Sequence, residues 1–315
     1  MKYTLPNMSS ILSLIYFPLA FLLLATHASA VQFSAVEAAP GVYAFIGDTG
    51  NRSYENSGMN ANTGFVVTKA GVVVVDSGSS YLAAKAMHAA IKKITQQPIK
   101  YVINTGGQDH RWLGNGYFKE IGAQIIASRK ALADMEERGE AELAALKPVL
   151  LEELDGTRIV YPERVFEQKE ILKLGGNEIQ VLFFKGGHTP GDVVVWLPKL
   201  RVLFSGDLVF VDRLLGVWPF SNSKNWLSSF EQIEKLQPRV IIPGHGKICD
   251  LALARRDTKD YLNLLREHMR KSYDAGSDLQ NAIDTLDQSA YSQLANYELI
   301  KGGNASNVYL EMEAE

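Results

Sequence analysis

Three short motifs, GGHTPGD (186–192), SGDLVF (205–210) and PGHG (243–246), each set one potential metal-ligating side chain among glycines directly after an apolar run. The side chains are His188, Asp207 and His245. An apolar run that halts at Gly, Pro or Asp reads as a strand ending in a turn, and glycine permits close backbone approach there. If these residues act together, the fold must bring several strand ends to one edge. A fourth motif, NTGGQDHRWLGN (104–115), leaves the run YVIN (101–104) and adds Gln108, Asp109, His110 and Arg111.

The rest of the chain supplies the scaffold. GVYAFIG (41–47), GFVVT (64–68) and GVVVVD (71–76) read as strands, separated first by a long loop rich in Gly, Asn and Ser. Residues 81–95 place Leu82, Ala86, Met87, Ala90, Ile91 and Ile94 on one helical stripe. A strand at 123–128, a helix at 129–147 and a Glu-rich charged connector follow. EIQVLFFK, DVVVWLP and RVLFSGD form three further strands, then come a helix at 223–236, the strand RVIIPG (239–244) and a helical region from Asp250 onward. Strands grouped with helices in each half predict a layered α/β (α+β) fold, with two mixed sheets face to face and helices outside.

The first thirty residues read as a leader. ILSLIYFPLAFLLL (11–24) is an apolar run ending before Ala28-Ser29-Ala30, a small-x-small cleavage pattern. It is shorter than the ~20 residues that span a bilayer, so no membrane span is expected after cleavage, and an uncleaved anchor is the alternative. The expected organisation is a signal peptide at 1–30, a domain at 31–250 and a helical extension at 251–315. The formal charge is −3 and no basic block stands out, which argues against a nucleic-acid partner. The single cysteine, Cys249, excludes an intramolecular disulfide and a thiolate metal cluster, and reads as a small buried hydrophobe. Any metal must be held by His, carboxylate, amide or water.

The four motifs in this order resemble the metallo-β-lactamase-fold hydrolases over essentially the whole chain after the leader. In detail they resemble the exported quinoprotein-relay-system zinc metallohydrolases. That branch shares the NTGFVV…GVVVVDSG opening (62–78), the FVDR segment (210–213) and the closing N-x4-Y-L-E-x-E segment from Asn304 to Glu313. The resemblance implies a four-layer αββα sandwich and a periplasmic or secreted hydrolase. It also implies an exported dehydrogenase as a partner beside a small-molecule substrate.

The family's loop reads N-T-H-x-H-x-D-H-x-x-G-N, and laid on this chain without a gap its ligand slots hold Gly106, Gln108, His110 and Arg111. The first metal site then keeps only His188 as a strong donor. At the second, His110, Asp207 and His245 suffice for one zinc or ferrous ion with open positions, and His188 could join them. A one-residue bulge would instead put Asp109 and His110 in the Asp and His slots. Arg111 cannot ligate and could replace a cation, leaving an anion-binding cleft with no metal.

The leading expectation is a mononuclear metallohydrolase acting on an ester, lactone or amide, with Asp109 or a neighbouring His moving the proton. The alternatives are a catalytically inactive periplasmic binding or accessory protein of a quinoprotein oxidation system, and an iron oxygenase. Gln108, Arg111 and Arg213 are candidate substrate contacts. Trp218 and Phe220 read as core or lid packing, Asp76 and Asp192 as structural carboxylates, and His88 and His268 as ordinary helix residues.

Overall fold

The computed structural model describes residues 1–3 and 33–315, so the leader expected at 1–30 lies outside the described residues apart from its first three. The chain runs β1 (Ala35–Ala39), β2 (Val42–Phe45), β3 (Thr63–Thr68), β4 (Gly71–Val75), α1 (Tyr81–Lys92), β5 (Ile99–Ile103), α2 (Asn115–Glu120), β6 (Gln124–Ser128) and α3 (Arg129–Leu150). It continues with β7 (Arg164–Phe166), β8 (Lys169–Leu174), β9 (Asn177–Phe183), β10 (Val193–Leu197), β11 (Val202–Phe204), α4 (Ser223–Leu236) and β12 (Val240–Ile242). Helices α5 (Leu251–Ala254), α6 (Asp260–Asp274), α7 (Leu279–Asp284) and α8 (Tyr297–Ala314) complete it.

Seven strands form one sheet in the order β1-β2-β3-β4-β5-β6-β7, and five form the other in the order β12-β11-β10-β9-β8. The first sheet is antiparallel from β1 to β4 and parallel from β4 to β7. The second is antiparallel except where β11 pairs with β12.

Valine-rich β4 shows why the sheets stack. All of its residues are buried, because both of its faces are covered. Val73 and Val75 point inward and join Val181, Val195 and Phe204 of the second sheet, whereas Val72 and Val74 face outward onto Met87 and Ile91 of α1. The outer face of the second sheet, with Trp196, Leu203 and Ile241, is covered by Trp226 and Phe230 of α4, Leu265 of α6 and Val308 of α8. The order helix, sheet, sheet, helix is the αββα sandwich expected above.

Residues 251–315 are mostly helical and bury α6 and α8 in the same core as β10 and β11. Val31–Glu315 accordingly forms one compact unit. Among the described residues, no helix is long and apolar enough to cross a membrane.

Some elements depart from the sequence reading. The buried face of α1 is Ala83, Ala84, Met87, Ala90 and Ile91, while Ile94 lies past the helix end and is 40% exposed. Ala83, Ala84, Met87 and Ile91 pack in one cluster with Val72 and Val74 of β4. Strands β7 and β8 sit in the charged connector, because edge strands tolerate Arg, Lys and Glu on their solvated side.

Candidate metal centre

The loop 104–115 is closed by its own ends. The Asn104 amide donates to Asn115 Oδ1 at 3.0 Å and accepts from Asn115 Nδ2 at 2.9 Å, while also donating to the Arg111 carbonyl at 3.0 Å. Trp112 donates from its indole to the Gly107 carbonyl at 2.8 Å. These bonds fold residues 109–111 into one 3₁₀ turn that buries Asp109, His110 and Arg111.

Asp207 and His245 leave β11 and β12, adjacent strands of the second sheet. The long loop before β3 is tied to the last of these exits by Asn62, whose Nδ2 donates to the carbonyls of Pro243 at 2.9 Å and Gly246 at 2.7 Å. Gly246 turns there with φ +88°, and a Cβ would collide with the Val211 carbonyl.

His110, Asp207 and His245 converge, with one ligand atom from each lying within 4.8 Å of the others, all buried. His110 Nε2 lies 3.1 Å from Asp207 Oδ2, and His245 Nε2 lies 3.1 Å from Asp207 Oδ1. His245 donates from Nδ1 to the Asn60 carbonyl at 2.7 Å, so in the neutral ring Nε2 carries a lone pair aimed at a carboxylate. His110 Nδ1 has no hydrogen-bond partner, Asp109 Oδ1 standing 3.3 Å from it, whereas Nε2 is within hydrogen-bond distance of Asp207 Oδ2, to which it donates when no ion lies between them. A lone pair aimed at a carboxylate is repelled unless a cation or proton stands between them. Donors about 2.0–2.2 Å from a tetrahedral ion lie roughly 3.3–3.5 Å apart, close to this spacing. The donor set therefore fits one divalent ion.

Arg111 fills the neighbouring volume. Fully buried, it donates from Nε to Asp207 Oδ2 at 3.0 Å and from Nη2 to Asp207 Oδ1, a bidentate fork. Its Nη1 reaches Asp76 Oδ2 at 2.9 Å and the Asn62 carbonyl at 2.8 Å, and Nη2 also reaches the Gly244 carbonyl at 3.2 Å. Burial works against the charges, but Arg111 holds Asp207 well below the usual carboxylate range and is itself driven further up by Asp207 and Asp76. Burial outweighs Arg111 at Asp76 and raises it, so the firm charge balance here is Arg111 (+1) against Asp207 (−1). Asp76, read from sequence as structural, holds φ +63° and accepts from Thr105 N at 2.7 Å and Oγ1 at 2.8 Å.

The other sequence-selected residues take up separate positions. His188 is not among the three converging donors; its Nδ1 donates to the Gly216 carbonyl and its Nε2 faces the Gln108 amide, each at 2.9 Å. The Gln108 atom facing Nε2 is Oε1, so with Nδ1–H committed this contact is a hydrogen bond only with the amide turned over and its NH2 donating to Nε2. Burial lowers His188 to about 4 and His245 to about 3, so neither ring carries its own proton charge at neutral pH.

Gly106 leaves a gap that Asp192 fills, since a Cβ there would stand 2.9 Å from Asp192 Oδ1. Asp192 accepts from Thr189 N at 2.7 Å and Oγ1 at 2.5 Å, and burial pushes it up to about 8. Asp109 is not one of the three converging donors: its Oδ2 pairs with Arg52 and its Oδ1 accepts from His110 N at 2.7 Å; burial would raise it, but Arg52 and His110 hold it below the usual range.

Arg213 donates from Nη1 to the Thr49 carbonyl at 3.2 Å and to the Gly50 carbonyl, while its Nε is buried without a partner. Trp218 is 40% exposed at the rim, and Phe220 lies under the Arg138 guanidinium at 4.0 Å. His88 bonds the Tyr117 hydroxyl, His268 the Ala282 carbonyl, and Cys249 is buried with its thiol pushed up to about 12.

A cavity with about 470 Å³ of empty space, mouth included, opens over His110, His188 and His245. Sequence reasoning missed Arg52 and Asn60 in its wall, although the length of their loop pointed to function. It also missed Glu142 of α3, which accepts from Asp109 N at 3.0 Å and is raised to about 7 by burial and by Asp109.

The metallo-beta-lactamase superfamily model matches residues 57–245, and the chain belongs to that superfamily. It is 28% identical over 210 residues to metallo-beta-lactamase IND-1 of Chryseobacterium indologenes, covering 65% of this chain and 78% of that one. A type 2 metallo-beta-lactamase of Elizabethkingia meningoseptica is 27% identical over 215 residues, 67% of this chain and 77% of its own.

Among solved structures, the metallo-beta-lactamase of Pontibacter korlensis aligns with TM-score 0.61 at 22% identity, covering 74% of this chain and 99% of that one. The sec-alkylsulfatase Pisa1 of Pseudomonas sp. aligns with TM-score 0.70 at 17% identity, covering 89% of this chain and 50% of that one. At these identities the structural likeness concerns the fold alone.

Replacing Arg111 by Met strands two buried carboxylates and should destabilise the protein by about 3–5 kcal/mol in urea denaturation. Lys at 111 keeps the charge but loses the fork and should lie between; a Met variant as stable as wild type would exclude Arg111 as the counter-charge. Asp192 gives a pH signature. With its folded value raised above the unfolded one, its contribution is whole below about pH 4 and is lost as pH rises through about 8. Asp192→Asn should flatten the fall of melting temperature across that window.

Proposed function

We propose that the protein is an exported hydrolase that uses one metal ion against an ester, lactone or amide bond of a small anionic substrate. The observation that carries this reading is the convergence of His110 Nε2 and His245 Nε2 on the two oxygens of the buried Asp207 carboxylate. His110, Asp207 and His245 would hold the ion, zinc by the chemistry of the donors and by its relatives' class, with ferrous iron suited to the same set. Such an ion, when bound, supplies Lewis acidity and an activated water at neutral pH.

The chain's own groups do the rest. Asp109, engaged by Arg52, is a weak base and serves to orient His110, which it meets through both backbone N and Nδ1. His188 holds Gln108 in the cavity wall through Nε2, and that nitrogen becomes a proton acceptor for a group in the cavity when such a group takes the place of the Gln108 amide. The anionic substrate is supported by the wall of the cavity, where Arg52 is already paired with Asp109 but Arg213 is not, and where, among the described residues, no carboxylate lines the space. Burial without a carboxylate partner lowers Arg213 to about 10, a cost that a bound anion would relieve. Export is supported by the leader pattern at 1–30.

A second reading has its own observation: Arg111 already engages both oxygens of Asp207. On it the protein is an inactive periplasmic binding or accessory protein, with an exported dehydrogenase of a quinoprotein system as partner.

Metal content separates the two. Plasma mass spectrometry of protein purified without chelator should find about one equivalent of zinc or iron, lost in His245→Ala; no metal even after reconstitution would leave the binding-protein reading. Arg213→Gln should keep that metal while raising KM about tenfold or more for 4-nitrophenyl hemisuccinate but not for the neutral 4-nitrophenyl butyrate, as expected for a lost charged hydrogen bond. Equal effects on both esters would remove Arg213 from anion recognition.

A further inference from the structure

Helix α8 reaches the cavity from outside the sandwich. Ile300, Asn304, Asn307 and Glu311 recur at three- and four-residue spacing and so share one helical face. Ile300 lines the cavity, and Glu311 accepts from Ser223 N at the start of α4 at 3.0 Å. Between them Asn304 is buried, with its amide fully used. Its Oδ1 accepts from Val217 N at 2.7 Å, and its Nδ2 donates to the Leu215 carbonyl at 2.7 Å and to the Tyr261 hydroxyl at 3.1 Å. Asn307 adds a bond from Nδ2 to the Val217 carbonyl at 2.7 Å.

Residues 214–218 belong to no strand or helix. Their backbone groups lack a ladder, and the Asn304 amide supplies what a neighbouring strand would: an acceptor for one N–H and a donor for the carbonyl two residues earlier. The peptide held between those two bonds is that of Gly216, whose carbonyl accepts from His188 Nδ1 at 2.9 Å. A neutral imidazole exchanges between two tautomers, and a fixed acceptor at one nitrogen selects one of them.

We propose that Asn304 is a positioning residue for the cavity, pinning residues 215–217 so that the Gly216 carbonyl holds His188 as the Nδ1–H tautomer with its Nε2 lone pair turned to the Gln108 amide in the cavity wall. The C-terminal segment from Asn304 to Glu313 thereby sets the proton-accepting face of a residue that lies more than a hundred positions earlier in the chain. The importance of that face rests on the hydrolase reading above; the tautomer itself does not.

Long-range ¹H–¹⁵N correlation spectra of the ¹⁵N-labelled protein, with His188 assigned by the signals lost in His188→Asn, test it directly. The wild type should show a protonated Nδ1 and a bare Nε2. Asn304→Ala should turn this single population into a mixture of tautomers while the circular dichroism spectrum and the bound metal per chain stay as in wild type. Should that variant fail to fold, Asn307→Ala removes one tie to the same segment and should move the population in the same direction by less. A wild-type His188 protonated on Nε2, or an unchanged tautomer in either folded variant, overturns the proposal. Absence of metal in every sample would count against the hydrolase reading while leaving this test intact.

Discussion

Asp207 and Asp76 lie out of water at the meeting of the two sheets, and the Arg111 guanidinium lies between them. Taking such charges out of water costs several kcal/mol each, and only close, geometrically matched counter-charge offsets it. Arg111 meets the requirement with the fork on Asp207 and one Nη on Asp76, and its remaining bonds run to the carbonyls of Asn62 and Gly244. One side chain thus joins β4, the 104–115 loop, the loop before β3 and the exits of β11 and β12. The positions of His110 and His245 follow from it, since both rings address the carboxylate that Arg111 holds in place.

The layered fold was legible wherever hydrophobic pattern is strong. GVVVVD and DVVVWLP announce strands buried on both faces, and the glycines after them announce the turns that carry His188, Asp207 and His245. The pattern fails for β7 and β8, because their charged residues satisfy an edge strand as readily as a loop. It fails for Ile94 because periodicity carries no signal for where a helix stops.

At the site, the types and positions of the donors could be read, but not which neighbour each would face. Two registers of Asp109, His110 and Arg111 fitted the letters equally. In the structure Asp109 faces Arg52, His110 faces Asp207, and Arg111 spans Asp207 and Asp76. Arg52 and Asn60 were invisible as site residues, since the polar loop bearing them has no periodicity and meets the cavity through long-range ties, among them Asn62 to Pro243 and Gly246, Asn60 to His245 and Arg52 to Asp109. Asn304 was noticed as part of a motif, yet its partner segment at 215–217 becomes apparent only once α8 is packed against the second sheet.

A guanidinium differs from an ion in how it arrives. It is made with the chain, one per molecule, and neither dilution nor a chelator takes it away. Asp207 and Asp76 therefore acquire their counter-charge as soon as the loops close, whatever ions the surroundings hold. The inner architecture of this site thus carries its own counter-charge in the sequence and does not wait on any ion for it.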